Sequence, residues 1–148
     1  MAAESASHHN PVAGLLRRLM ACLYDWLLVI AIMMVLSVPM VALDNGEAIR
    51  PGTAWYRMTM LAVSVAYFVG FWCGYGRTPG MLAWRLIIQT PAGNRPNITA
   101  GLQRYAVACI SIAALGVGFL WSLFAPDRLT WHDRLSGTVL ILQPVRGR

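Results

Sequence analysis

The stretch RRLMACLYDWLLVIAIMMVL, residues 17–36, decides how the rest of the chain is read. It opens with two arginines and continues in residues suited to hydrocarbon, apart from one carboxylate, Asp25. The apolar run extends over residues 15–43, long enough to cross a hydrocarbon core of about 30 Å. It is too long for the apolar core of a signal peptide, it holds Asp25, and no small-x-small cleavage site follows it. The expectation is a retained transmembrane helix.

Composition agrees. Of 148 residues, 57% are hydrophobic and 12% charged, and the mean hydropathy is +0.55. A soluble domain of this size would need far more charge to cover its surface. The organisation expected is one membrane domain over residues 13–143, between a disordered N-terminal tail, 1–12, and a C-terminal tail, 144–148. All twelve basic residues are arginine, and the net charge is +6. They are scattered singly along apolar segments, with no basic stripe and interleaved aromatics, which argues against nucleic acid. Arginines in such places set membrane orientation and meet anionic headgroups, so the lipid bilayer is the first partner. Cys22, Cys73 and Cys109 are odd in number and widely spaced, neither a disulfide framework nor a zinc set. His8 and His9 alone make a poor metal site. Neither a metal nor a cofactor is expected.

A second span, residues 54–75, follows the turn-rich DNGEAIRPG. It carries small residues every four positions, Ala62, Ala66, Gly70 and Gly74, a stripe expected to pack against the first span. GYGRTPG then acts as a breaker: it lacks the Gly-Lys-Ser/Thr ending of a phosphate loop and follows no strand. WRLIIQT is short, β-branched and bounded by PAGNRP, a strand pattern, and TVLILQP at 138–144 is another. Lone strands need each other, so residues 85–90 are expected to pair with 138–143.

Between the strands lies a third apolar segment, 98–125, broken at LGVG. With the N-terminus inside and three full crossings, six arginines fall on each side. If the segment doubles back near Gly116 to Gly118, ten lie inside and only Arg50 and Arg57 outside, which positive-inside bias prefers. Each half would be about 18 Å long, too short to cross alone, so a re-entrant pair needs shelter from the other helices. The alternative is one tilted crossing. The fold class expected is an all-α membrane protein: two transmembrane helices, a re-entrant or tilted third segment, and a two-stranded β element at the cytoplasmic face.

Arg18 and Asp25, seven residues apart, share one helix face about 10 Å apart along the axis. An unpaired carboxylate in lipid needs a partner or a proton, and Arg18 is the first candidate. RRLMACLYDWLL, GRTPGMLAWRLIIQTPAGNRPNITAGLQR and WHDRLSGTVLIL together resemble the three signature blocks of the RDD family of small bacterial membrane proteins, over roughly residues 11–143. The resemblance assigns the family's arginine to Arg18 and its aspartates to Asp25 and Asp133. Met81 and Trp84 depart from its pattern. It implies a multi-pass protein of the bacterial inner membrane, a family suspected of transport, with cation/proton antiport proposed for some members. On that reading Arg18, Asp25 and Asp133 form a cluster, joined by His132 as a second proton carrier and by Arg134, and moving a monovalent cation or proton requires a homo-oligomer. The competing reading is an adapter that docks a partner membrane protein, its cluster a structural clamp that Arg134 or Arg104 completes. With no nucleophile–base pair in sequence, an enzyme is not expected.

Overall fold

The computed structural model describes residues 12–43, 53–127 and 129–143. The expected C-terminal tail and all but Val12 of the expected N-terminal tail lie outside them. The chain forms α1 (Leu15–Leu43), α2 (Ala54–Tyr75), α3 (Pro79–Ala83), β1 (Leu86–Gln89), α4 (Ile98–Ala113), α5 (Val117–Phe124), α6 (Trp131–Ser136) and β2 (Val139–Leu142). At 1.5 Å per residue, the 29 residues of α1 and 22 of α2 each exceed the hydrocarbon thickness. Both are apolar enough to cross a membrane. Along α1 only Arg18, Ala21, Asp25 and Val29 are buried, one narrow stripe at helical spacing. The other faces carry exposed Leu, Ile, Met and Val, the surface a helix presents to lipid.

The strands pair antiparallel, with Leu86 opposite Leu142 and Gln89 opposite Val139. This is the pairing the sequence leads one to expect. Val12 adds an isolated bridge to Ile141, and the Ala13 amide donates to the Leu140 carbonyl at 3.0 Å. Val12, at the end of the expected tail, is thus tied to β2 by a single bridge. Leu86, Ile88 and Leu140 on the inner face of the pair meet Ala13, Ala21, Trp72 and Met81 in one apolar core. The sheet thus closes the end of the bundle where α1 and α4 begin and α2 ends.

The third apolar segment is not a straight crossing. α4 and α5 meet at 95° across a break at Ala114 to Gly116. Leu115 and Gly116 both take left-handed backbone there, φ 55° and 78°. Gly118 then allows α5 to lie on α4: a Cβ at that position would stand 2.3 Å from Ser111 Oγ. From α5 the chain returns to where α4 began, since Arg104 Nη1 donates to Thr138 Oγ1 at 2.7 Å.

The small-residue stripe of α2 points the wrong way for the expected packing. Ala62, Ala66, Gly70 and Gly74 are exposed, and nothing lies within 4 Å of a Cβ added at Gly70 or Gly74. The buried face is Ser64, Tyr67, Val69 and Trp72. Tyr67 and Ser64 carry hydroxyls that need partners in a hydrocarbon setting, and both find them inside the bundle.

Candidate charge cluster and its neighbours

Three short sequence features build the site. Thr130 caps α6, its Oγ1 accepting from the Asp133 amide while the Thr130 amide donates to Asp133 Oδ2 at 3.2 Å, a capping box. The box fixes the Asp133 carboxylate at the start of α6, aimed at the first turns of α1 and α4. Arg18 on α1 and Arg104 on α4 reach it there. Arg18 Nη1 donates to Oδ2 at 2.5 Å and Arg104 Nη1 to Oδ1 at 2.7 Å. Arg18 Nε also donates to the Ala13 carbonyl at 2.9 Å. One carboxylate therefore binds α1, α4 and the cap of α6. All three residues are at most 2% exposed.

The third feature is RTPG. Thr78 caps α3, accepting from the Met81 amide, and Pro79 opens that helix. The cap hydroxyl donates onward to Asp25 Oδ2 at 2.5 Å, and the Gly80 amide donates to Asp25 Oδ1 at 2.8 Å. Tyr67 Oη donates to the same Oδ1 at 2.9 Å. Gly80 has no alternative here, because a Cβ would lie 2.3 Å from the Ala21 carbonyl oxygen and 2.7 Å from Asp25 Cγ.

The expected pair between Arg18 and Asp25 is therefore not made. Arg18 turns toward the helix start and meets Asp133, while Asp25 turns to α2 and α3. The spacing on α1 places the two on one face, as the sequence suggests, but each has a partner far away in the chain. Arg134 does not join the cluster either. It forms a half-exposed pair with Asp127, Nη2 lying 2.9 Å from both carboxylate oxygens. Its place is taken by Arg104, and Tyr67, Thr78 and Gly80 complete the second set of contacts. His132 is buried against the Phe119 ring, centroids 4.8 Å apart, and its side chain makes no bond to Asp133.

Burial and charge act on these groups in opposite senses. Burial works to raise the Asp133 carboxyl, but the Arg104 and Arg18 guanidiniums outweigh it and hold the group well below the usual carboxylate range. Burial, reinforced by Arg104, pushes His132 down to about 3, so its imidazole is neutral at physiological pH. Asp127 is lowered by its hydrogen bond from Arg134. Among the described residues no group of three or more His, Cys, Asp and Glu side chains could hold a metal ion.

The RDD family model matches residues 12–137, which takes in both sets of contacts. An uncharacterized protein of Rickettsia prowazekii (strain Madrid E) is 29% identical over 84 residues. The aligned part is 56% of this chain and 46% of that protein, so the chain spans about half the length of its relative. No solved structure matches.

Proposed function

The chain belongs to the RDD family, and we propose that its arginine and two aspartates are a structural clamp in a small membrane protein that acts as an adapter or assembly module. One observation carries this reading: each oxygen of both buried carboxylates already accepts hydrogen bonds from fixed protein donors. A carboxylate that alternates between a cation and a proton has to release its partners at each turnover. Asp133 would have to release two guanidiniums inside low dielectric, where stranding either charge is costly. Asp25 would have to release a tyrosine, a threonine and a backbone amide together.

We further propose a multi-pass arrangement in the bacterial inner membrane with the N-terminus and the sheet on the cytoplasmic side. Of the eight described arginines, Arg17, Arg18, Arg77, Arg85, Arg95, Arg104 and Arg134 belong to the sheet end, and Arg57 stands alone at the start of α2. That asymmetry supports a cytoplasmic sheet. The exposed apolar faces of α1 and α2 then meet lipid, a second copy or a partner membrane protein.

The test is reconstitution in proteoliposomes with an internal pH dye. Native protein is expected to give no proton release when sodium or potassium is added outside. Cation-driven release that disappears in Asp25→Asn, with the fold intact, would overturn the clamp and establish the antiport reading.

A further inference from the structure

Between α1, α2, α4 and α5 lies a cavity of about 120 Å³. Its walls are mostly apolar, but its sheet end is not. Arg18, Trp72 and His132 all line it, and each carries a buried polar atom that has no hydrogen-bond partner among the described residues: Arg18 Nη2, Trp72 Nε1 and His132 Nδ1. These side chains are at most 5% exposed. A buried polar atom without a partner costs about 1–3 kcal/mol in general, so three on residues that line one cavity call for an explanation.

The chemistry of the three narrows what would satisfy them. Arg18 Nη1 and Nε are committed to Asp133, Thr130 and Ala13, which leaves the N–H groups of Nη2 for the cavity. The indole of Trp72 can only donate. Its ring lies under the Arg104 guanidinium, Cζ 5.5 Å from the centroid, which adds positive charge to the same end. His132 is neutral and offers one more ring nitrogen. Two donor-only groups and a second guanidinium favour an oxyanion over a cation. Neither Asp25 nor Asp133 lines the cavity.

The rest of the cavity sets the other end of the ligand. From Arg18 to Trp26 along α1, and from Arg104 to Ile112 along α4, the chain advances eight residues, about 12 Å, away from the sheet. Trp26 and Ile112 are 46% and 49% exposed on the outer surface of the bundle. The polar end thus lies near the sheet and the apolar end opens where hydrocarbon would be. An amphiphile in a bilayer is arranged in the same sense, head at the boundary and chain inward. A dry cavity of about 150 Å³ accepts benzene, so this one has room for a head and the first few methylenes. The remaining chain leaves past Trp26 and Ile112.

We propose that this cavity binds an amphiphile with a carboxylate or phosphate head, the head accepting from Arg18 Nη2 and Trp72 Nε1 and the hydrocarbon chain running out between α1 and α4. The proposal goes beyond the clamp and stands whether or not the chain moves ions. The head belongs either to a free fatty acid or to an anionic phospholipid.

The experiment measures binding to the purified full chain in a neutral detergent by native mass spectrometry, with oleate, oleyl alcohol, dioleoylphosphatidylglycerol and dioleoylphosphatidylcholine as probes. One oleate or one phosphatidylglycerol per chain is expected, at least about tenfold tighter than the alcohol or the zwitterionic lipid, the scale of a hydrogen bond to a charged group. Preference for oleate assigns a free acid, and preference for phosphatidylglycerol assigns a bilayer lipid. Ala108→Trp narrows the cavity that Ala108 lines and is expected to abolish the preference. Trp72→Phe keeps the ring, removes the N–H and should weaken binding about tenfold. Equal binding of acid and alcohol, no binding at all, or a preference that survives both variants overturns the proposal. If Ala108→Trp fails to fold, the acid–alcohol comparison and Trp72→Phe still decide it.

Discussion

Asp133→Asn is the sharpest perturbation of the clamp, because it preserves the shape of the side chain and removes only its charge. Native Asp133 accepts from Arg18, Arg104 and the Thr130 amide, within 2.5–3.2 Å. An asparagine keeps one acceptor oxygen, places an NH₂ against a guanidinium, and strands two arginines that are 2% exposed. Removing one partner of a buried ion pair costs about 3–5 kcal/mol, and here two positive charges lose their common partner. The half-exposed pair of Arg134 and Asp127 is the internal control: Arg134→Ala should cost less than about 1 kcal/mol. Thermal unfolding in detergent, read by near-UV circular dichroism, measures both. A double-mutant cycle then separates the partners of Arg18. Arg18→Met and Asp133→Asn should couple, the pair costing less than the sum, because the double variant strands one fewer charge. Arg18→Met and Asp25→Asn should add to within about 0.5 kcal/mol, since the two side chains share no bond. If Arg18 couples more strongly to Asp25 than to Asp133, or if Asp133→Asn melts like the parent, the clamp as described is refuted.

Gly80→Ala should destabilise by about 1–3 kcal/mol, because its Cβ would press on the Ala21 carbonyl and on Asp25, whereas Gly70→Leu should melt within about 0.5 kcal/mol of the parent, having open space around it. The reverse order in a detergent melt would mean that the exposed stripe of α2, and not the α1–α3 contact, is the close approach. His132 binds its proton far more weakly folded, at about 3, than unfolded, near 6.5. Its contribution to stability is therefore complete above the unfolded value and is lost as pH falls toward 3. By pH 5 the loss is about 2 kcal/mol, and a melting temperature that His132→Phe makes flat between pH 7 and 5 confirms the source. A phosphatase fused after Arg148 should be inactive in intact cells. Strong periplasmic activity would place the sheet outside and remove the arginine argument for orientation.

Much of the fold is legible in the sequence because bilayer and strand impose simple patterns. Residues 15–43 and 54–75 show their length and apolarity directly. WRLIIQT and TVLILQP are too short and too β-branched for a buried helix, and their need for a partner fixes the pairing. The site is less legible. Helical spacing tells which residues share a face of one helix, so Arg18 and Asp25 look like partners. It says nothing of groups 42, 53 or 115 residues away, which are the ones that reach them. RTPG carries a readable signal, a capping Thr before Pro at the first turn, but not the fact that the cap's hydroxyl also serves Asp25. Arg104 is one arginine among twelve, and only the return of the chain from α5 to the start of α4 singles it out. The small-residue stripe misleads for a related reason. Smoothness makes close packing possible, but the buried face of α2 is chosen by Ser64, Tyr67 and Trp72, whose polar atoms or aromatic bulk gain more from the interior.

The proposed clamp has a physical cause for lying so near a hydrocarbon region. α1 is buried only along Arg18, Ala21, Asp25 and Val29, with one further bond to α2, Ser37 Oγ to Tyr56 Oη at 2.9 Å. In water such a narrow stripe would be supplemented by apolar burial. In lipid, an apolar side chain loses nothing by facing a fatty chain, so burial cannot hold α1 in place. Direct bonds have to do it. Asp133 fixes Arg18 at the level of the sheet, and Tyr67, Thr78 and Gly80 fix Asp25 about 10 Å further along the axis. Two fixed points on one face set both the height and the rotation of a helix, which one point cannot. An arginine and an aspartate seven residues apart, each bound to a different part of the chain, therefore set both height and rotation of α1 near the sheet, and losing either should leave the helix present but less firmly oriented.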